Sequence, residues 1–157
     1  MKKIIAFFLI LLGLIFVACG KESGIGEFID KEKISSEYNI EKEDENSIKF
    51  KDKDENSEVY SIFSIEKMLK VDYNNPNKLD KLEEFYLNHD WKTLYKDEET
   101  LMVSHEEADT QGYEYNIHTF DNSKAELAII VSVGATRKVS EAELVNMLKE
   151  AKSFIKK

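Results

Sequence analysis

The sequence predicts an α+β fold: an antiparallel β-sheet of about six strands, with one helix after the first strands and a C-terminal helix packed on the sheet. Short segments rich in β-branched and aromatic residues recur along the chain, and turn-forming residues separate them. Two other segments space their apolar residues as one face of a helix does. With 157 residues and one cysteine, the chain has the size of one domain that needs no disulfide framework.

The strand patterns grow stronger along the chain. After a short strand at Ile48 and Phe50, they occupy residues 58–68, 91–96, 100–107, 112–120 and 125–133. In residues 112–120, Tyr113 and the alternate residues that follow it are predicted to face the core, and most residues between them to face water. Residues 125–133 are apolar on both faces, which is typical of a central strand covered by a helix.

The two helices are predicted from residue spacing and from end signals. The first follows Asn75, a suitable cap, and Pro76, a suitable first residue. Its apolar face is predicted to carry Leu79, Leu82, Tyr86 and His89, widened by Phe85. The second begins at a capping box of Ser140 and Glu143. Its buried stripe is predicted to consist of Leu144, Val145, Leu148, Ala151 and Ile155.

The N-terminus has the layout of an export signal. Lys2 and Lys3 precede an uncharged apolar stretch, residues 4–18, which ends directly at Cys19. As a helix these residues would rise about 22 Å, short of the roughly 30 Å hydrocarbon core of a bilayer. The sequence therefore predicts a cleaved signal peptide over residues 1–18 rather than a permanent membrane span.

The end of this segment, Phe16-Val17-Ala18-Cys19, resembles the lipobox of bacterial lipoproteins. In that family the cysteine receives a diacylglyceryl thioether, and a peptidase cuts just before it. The resemblance implies that Cys19 is the acylated first residue of the mature chain, with fatty acids such as palmitate. Two or more acyl chains hold a protein stably on a bilayer. We therefore expect a protein of the cell envelope, lipid-anchored to a membrane and extracytoplasmic.

Composition and charge suggest how the anchored chain is organised. Residues 19–35 contain three of the six glycines and several charges, so we expect the lipidated cysteine and a flexible tether there, followed by one domain over residues 36–157. The net charge of −9 becomes −11 without residues 1–18. Such a surface is repelled by anionic headgroups and does not suit nucleic acid, so the domain is expected to hang from its lipid.

The order of strands and helices over residues 36–157 also resembles that of PsbP/Mog1-like domains. In those domains helices sandwich an antiparallel sheet of six or seven strands and the chain ends in a helix. The resemblance rests on element order and on Trp91 after the first helix, with no diagnostic motif. It implies an accessory or binding protein without a shared catalytic apparatus. A cystatin-like or another helix-on-sheet fold is the alternative.

The candidates for chemistry are few. Nucleophile, zinc-protease, phosphate-loop and dinucleotide motifs are all missing from the sequence. A cluster of histidine and acids at residues 105–109 provides His105 and Glu106, and His118 is expected nearby if the two strands pair. Imidazole and carboxylate groups suit zinc or another divalent cation, so these residues are a candidate metal site. The alternative interpretation is that they are solvated residues at the edge of the sheet. Five aromatic residues have two possible roles: they line a groove for a carbohydrate or peptide, or they form part of the core. They are Tyr60, Trp91, Tyr95, Tyr113 and Tyr115.

These observations favour a membrane-anchored envelope lipoprotein that acts as a non-enzymatic binding or interaction module. Its expected partners are the bilayer, through the lipid on Cys19, and an envelope protein, a peptide or a small ligand. No catalytic residues and no cofactor other than this covalent lipid are predicted. The alternative hypothesis is an envelope hydrolase or metal-binding protein that uses His105, Glu106 and His118, with a divalent metal as its cofactor.

Overall fold

Seven β-strands and four α-helices make up the fold in a computed structural model, which describes residues 24–54, 56–107, 112–121, 123 and 125–156. The strands are β1 Tyr38–Glu43, β2 Ser47–Asp52, β3 Val59–Lys67, β4 Lys92–Lys96, β5 Thr100–Glu107, β6 Gly112–Asp121 and β7 Leu127–Ala135. The helices are α1 Lys31–Glu37, α2 Lys70–Tyr73, α3 Lys78–Leu87 and α4 Glu141–Ser153, and a 3-10 helix spans Ile25–Glu27. The expected signal peptide, Cys19 and residues 20–23 of the tether lie outside the described residues.

All seven strands pair antiparallel in one sheet, in the order β1-β2-β3-β7-β6-β5-β4. The predicted α+β class, with an antiparallel sheet and a C-terminal helix packed on it, is therefore confirmed. The last strand, β7, lies in the middle of the sheet between β3 and β6, as its apolar residues on both faces predicted. The strands β1 and β4 form the two edges.

One face of the sheet carries the main core. Helix α4 and the N-terminal segment cover this face, to which β2, β3, β6 and β7 contribute alternate residues. The rings of Tyr38, Phe50, Phe63 and Phe154 form its aromatic centre, with centroids 5.1–5.6 Å apart. The capping box of α4 is present as predicted: Ser140 accepts the Glu143 N–H, and Glu143 accepts the Ser140 N–H.

The tether prediction is wrong for residues 24–35, which belong to the folded domain. Ile25, Ile29 and Ile34 are each at most 1% exposed and pack in the main core. Ile29 also pairs with Ile155, and the Asp30 N–H donates to the Phe154 carbonyl at 2.7 Å. The glycines and charges of this segment lie between isoleucines that complete the core against the end of α4. Burial of these apolar side chains stabilises the folded position of the segment, although its composition resembles that of a tether.

The second face of the sheet is only partly covered. Helix α3 packs there over β4 and β5, with Leu79 and Tyr86 buried against Leu101 and Val103. The remainder of this face, along β3 and β7, has half-buried side chains, and no helix of the described residues covers them. This unequal cover leaves part of the sheet accessible.

Helix α3 differs from its prediction at both ends. It begins at Lys78, later than predicted, because the Asn75 side chain accepts the Asn77 N–H and closes a turn around Pro76. The cap residue is Asn77, whose side chain makes no capping hydrogen bond. Phe85 does not widen the apolar face, since it is 55% exposed. His89 lies beyond the end of the helix and is also exposed.

Candidate functional site

A cleft of about 520 Å³ lies between β4, β5, β6 and the segment that leads into α4. We call it the α4 cleft. Its lining consists of Asp90, Lys92, Leu94, Ser104, His105, Glu106, Tyr113, Tyr115, Lys138, Val139 and Glu141. The volume suits a small ligand rather than a macromolecular surface.

The segment before α4 is fixed in place by charge-assisted bonds. The guanidinium of Arg137 contacts both carboxylate oxygens of Glu143, at 2.7 and 3.3 Å. This bond, together with the Ser140 donors, lowers the pKa of Glu143 to about 2. Arg137 is the only arginine in the sequence, and Glu143 is a carboxylate partner for it. Lys138 and Glu141, on either side of this cap, are held at the rim of the α4 cleft.

Tyr115 joins the sheet to the same segment. It lies on β6, is 5% exposed, and its hydroxyl accepts the backbone N–H of Val139 at 3.0 Å. In the part of the chain that the structure describes, no acceptor contacts the proton of this hydroxyl. Tyr115 lines the α4 cleft, and its hydroxyl has one donor available for a ligand.

Charges of both signs line the α4 cleft without pairing to each other. Among the described residues, no salt bridge involves Asp90, Lys92, Glu106, Lys138 or Glu141. The ammonium of Lys138 lies 5.7 Å from the centroid of the Tyr113 ring. Lys96, by contrast, contacts both Asp80 and Glu83. The unpaired cleft charges are available to a ligand.

The end of α3 shapes the wall of the α4 cleft. Asp90 takes the left-handed conformation, with φ 64°, that helix ends usually assign to glycine. The next N–H, of Trp91, donates to the Tyr86 carbonyl at 3.1 Å, and the two rings pack with centroids 5.0 Å apart. This bond, which spans six residues, and this apolar contact are two of the features of a Schellman motif. It places Trp91 against His105, with ring centroids 5.5 Å apart.

The three residues of the metal hypothesis lie in two places. His105 and Glu106, consecutive on β5, point to opposite faces of the sheet, yet both reach the rim of the α4 cleft. His118 pairs with Leu101, four residues along β5 from His105, which corresponds to about 13 Å. Within the described residues, no three His, Cys, Asp or Glu side chains group closely enough to hold a metal ion. Asp109 of the same acidic cluster lies outside those residues, so the metal site stays a prediction.

His118 is part of the packing beneath α3, although its alternation with core residues predicted a water-facing position. Its Nε2 lies 2.8 Å from the Tyr86 hydroxyl, and its cross-strand neighbours are Leu101 and Ile130. Burial among these groups lowers the pKa of His118 to about 4. Phe120, on the same face, packs against the cluster under α3 as well.

Sequence reasoning missed four residues of the α4 cleft: Asp90, Lys92, Lys138 and Glu141. They come from two segments, residues 90–92 and 138–141, which are far apart in the sequence and meet only in the folded domain. One local signal was available, since Asp90 follows the helix where a left-handed residue is expected. Comparisons of the chain with protein-family models, with curated proteins and with solved structures found no match. No helix of the described residues is long and apolar enough to cross a membrane.

Proposed function

We propose that this protein is a lipid-anchored, extracytoplasmic binding protein of the bacterial cell envelope, without enzymatic activity. The sequence that ends at Cys19 supports the anchor, because the only cysteine occupies the position that a lipobox requires. A covalent lipid on Cys19 would make the bilayer its first partner.

The α4 cleft carries the binding part of the proposal. Its unpaired acids and lysines surround two tyrosines and a buried hydroxyl with a free proton. Such a lining recognises a small polar ligand that bears charges of both signs, because each ligand charge meets an opposite charge on the rim. A short peptide with free ends has this chemistry.

The position of the first core residue limits the distance between the domain and the membrane. Ile25 is buried and lies six residues after Cys19. Six extended residues reach about 20 Å at most. In the proposed lipoprotein the domain therefore sits close to the bilayer rather than at the end of a long tether.

The anchor is tested by intact mass spectrometry of the membrane-extracted protein, wild type against Cys19→Ala. The proposal predicts a chain that lacks residues 1–18 and carries acyl chains, and it predicts that the variant loses both changes. An unmodified chain, or one that retains the apolar segment, would contradict the anchor.

The cleft is tested by calorimetric titration with dipeptides and tripeptides that have free ends, against the same peptides with both ends capped. We expect binding of the free peptides only. Lys138→Gln and Glu106→Gln should each weaken it, whereas Lys149→Gln, on the exposed side of α4, removes the same charge from a remote position as the control. Equal binding of free and capped peptides would exclude recognition by charge.

The alternative function, a hydrolase or metal-binding protein, retains one supporting observation. His105, Glu106 and Asp90 line the same cleft, whereas His118 lies under α3 against Tyr86. The test is calorimetric titration with Zn²⁺ of wild type and His105→Ala. Stoichiometric binding that the variant loses would favour this alternative over the binding protein.

A further inference from the structure

A second concave surface lies on the part of the sheet that α3 leaves uncovered, on the face opposite the main core. It has a volume of about 360 Å³, and we call it the glycine trough. Its lining includes Tyr60, Ile62, Trp91, Glu114, Asn116, Ser132 and Gly134. The trough shares Tyr115 with the α4 cleft, whereas Trp91 and the other residues just named do not line that cleft.

Strand register creates the trough. Gly134 on the central strand β7 pairs with Tyr60 of β3 on one side and with Glu114 of β6 on the other. Adjacent strands are about 4.8 Å apart, so Tyr60 and Glu114 stand roughly 10 Å apart with no side chain between them. A Cβ atom added at Gly134 would have no other atom within 4 Å. The missing side chain leaves open space.

Aromatic rings border this space on two sides. Tyr60 is half-buried on one side. Trp91 borders it on the other and is held by its contacts with Tyr86 and His105, whose ring centroids lie 5.0 and 5.5 Å away. A ring that is fixed before binding loses little conformational freedom when a ligand packs on it.

The polar groups of the trough have capacity for further hydrogen bonds. The Ser132 hydroxyl donates to Asn116 Oδ1 at 2.6 Å, which fixes the amide and leaves its NH₂ group to donate. In the described part of the chain, no partner contacts the Tyr60 hydroxyl, the Trp91 indole N–H or the Glu114 carboxylate. Donors and an acceptor thus surround an aromatic-walled space.

We propose that the glycine trough binds a neutral carbohydrate, of about one or two sugar rings by its volume. Sugars combine C–H faces that pack on aromatic rings with hydroxyls that bond to amide, carboxylate and indole groups. The described residues that line the trough include no lysine or arginine, so their charge does not favour an anionic ligand. Binding in the trough requires neither a ligand in the α4 cleft nor the lipid on Cys19.

Trp91 gives the experiment a local reporter, because it is the only tryptophan in the chain. The full chain, in an amine-oxide detergent without a sugar headgroup, is titrated with maltotriose, cellotriose and triacetylchitotriose. Tryptophan emission and calorimetric heat are both recorded. A saturable change in both signals for at least one trisaccharide is expected.

Gly134→Val supplies the decisive variant. Its side chain would fill the trough, while the open space and the preference of valine for strands should preserve the fold. We expect at least tenfold weaker binding with an unfolding midpoint no lower than that of the wild type. Tyr60→Leu should also weaken binding about tenfold, and Tyr95→Leu, on an exposed tyrosine outside the trough, should not change it. The absence of any saturable response, or wild-type affinity in a folded Gly134→Val protein, would overturn the proposal.

Discussion

The Tyr86 hydroxyl and His118 Nε2 lie 2.8 Å apart between helix α3 and the sheet. This contact closes the smaller of the two apolar clusters and keeps an imidazole away from water. The site favours neutral His118, because an imidazolium beneath α3 would have no carboxylate among its cross-strand neighbours.

The stability of the domain should therefore depend on pH through His118. Burial lowers the pKa of His118 from 6.5 to about 4, so between these pH values the unfolded chain binds the proton more readily. This contribution is complete above pH 6.5 and is lost as the pH falls towards 4, amounting to on the order of 3 kcal/mol. Urea unfolding at steps between pH 7 and pH 4 measures it.

His118→Gln is the matched variant for this measurement, since its amide retains a polar group towards Tyr86 but does not titrate. The difference between wild type and variant isolates His118 from the carboxyl groups that also titrate at low pH. Equal pH slopes for the two proteins would contradict the assignment.

Tyr115→Phe tests the link between the sheet and α4. The change leaves the buried Val139 N–H without its acceptor, and we expect a loss of about 1–3 kcal/mol in the free energy of unfolding. Tyr113→Phe is the control, because no hydrogen bond of its hydroxyl is found among the described residues; it should change stability by less than about 0.5 kcal/mol. Urea denaturation compares them, and equal losses would show that the hydroxyl of Tyr115 has no special role.

Local signals explain what the sequence could predict. The capping box of Ser140 and Glu143 involves residues three apart, and the bounds of β5 follow from a run of strand-forming residues between turns. The central position of β7 followed from apolar residues on both of its faces. These features need no knowledge of distant segments.

The features that the sequence did not predict correctly depend on contacts between distant segments. Alternation correctly put His118 on the face opposite Ile117, but it could not reveal that α3 covers that position. In the same way, Lys92 and Lys138 share the α4 cleft only because β4, β5, β6 and β7 pair in one particular register. Periodicity shows which face a residue takes, and tertiary packing decides what meets that face.

The conformation of Asp90 predicts a gain in stability. A left-handed residue with a Cβ atom is strained, so Asp90→Gly should stabilise the fold by about 0.5–1 kcal/mol. The same change removes a carboxylate from the α4 cleft and should weaken the binding of peptides with free ends. Thermal unfolding and calorimetry measure the two effects.

Asp90→Asn separates strain from charge, because asparagine tolerates the left-handed conformation as aspartate does. It should match the wild type in stability and match Asp90→Gly in weakened binding. If Asp90→Gly lowers the unfolding temperature, the residue is not strained in the way proposed.

The N-terminal segment gives the last prediction. A sequence with three glycines and several charges resembles a tether, yet Ile29 is fully buried and pairs with Ile155 at the other end of the chain. Ile29→Ala should lower the free energy of unfolding by about 2–5 kcal/mol, because it removes buried methyl groups and leaves a cavity. Glu32→Gln, an exposed change on the neighbouring helix α1, should alter it by less than about 0.5 kcal/mol. Urea unfolding of both variants tests whether this segment belongs to the core. If Ile29→Ala leaves the free energy of unfolding unchanged, the segment is a tether and the core begins further along the chain.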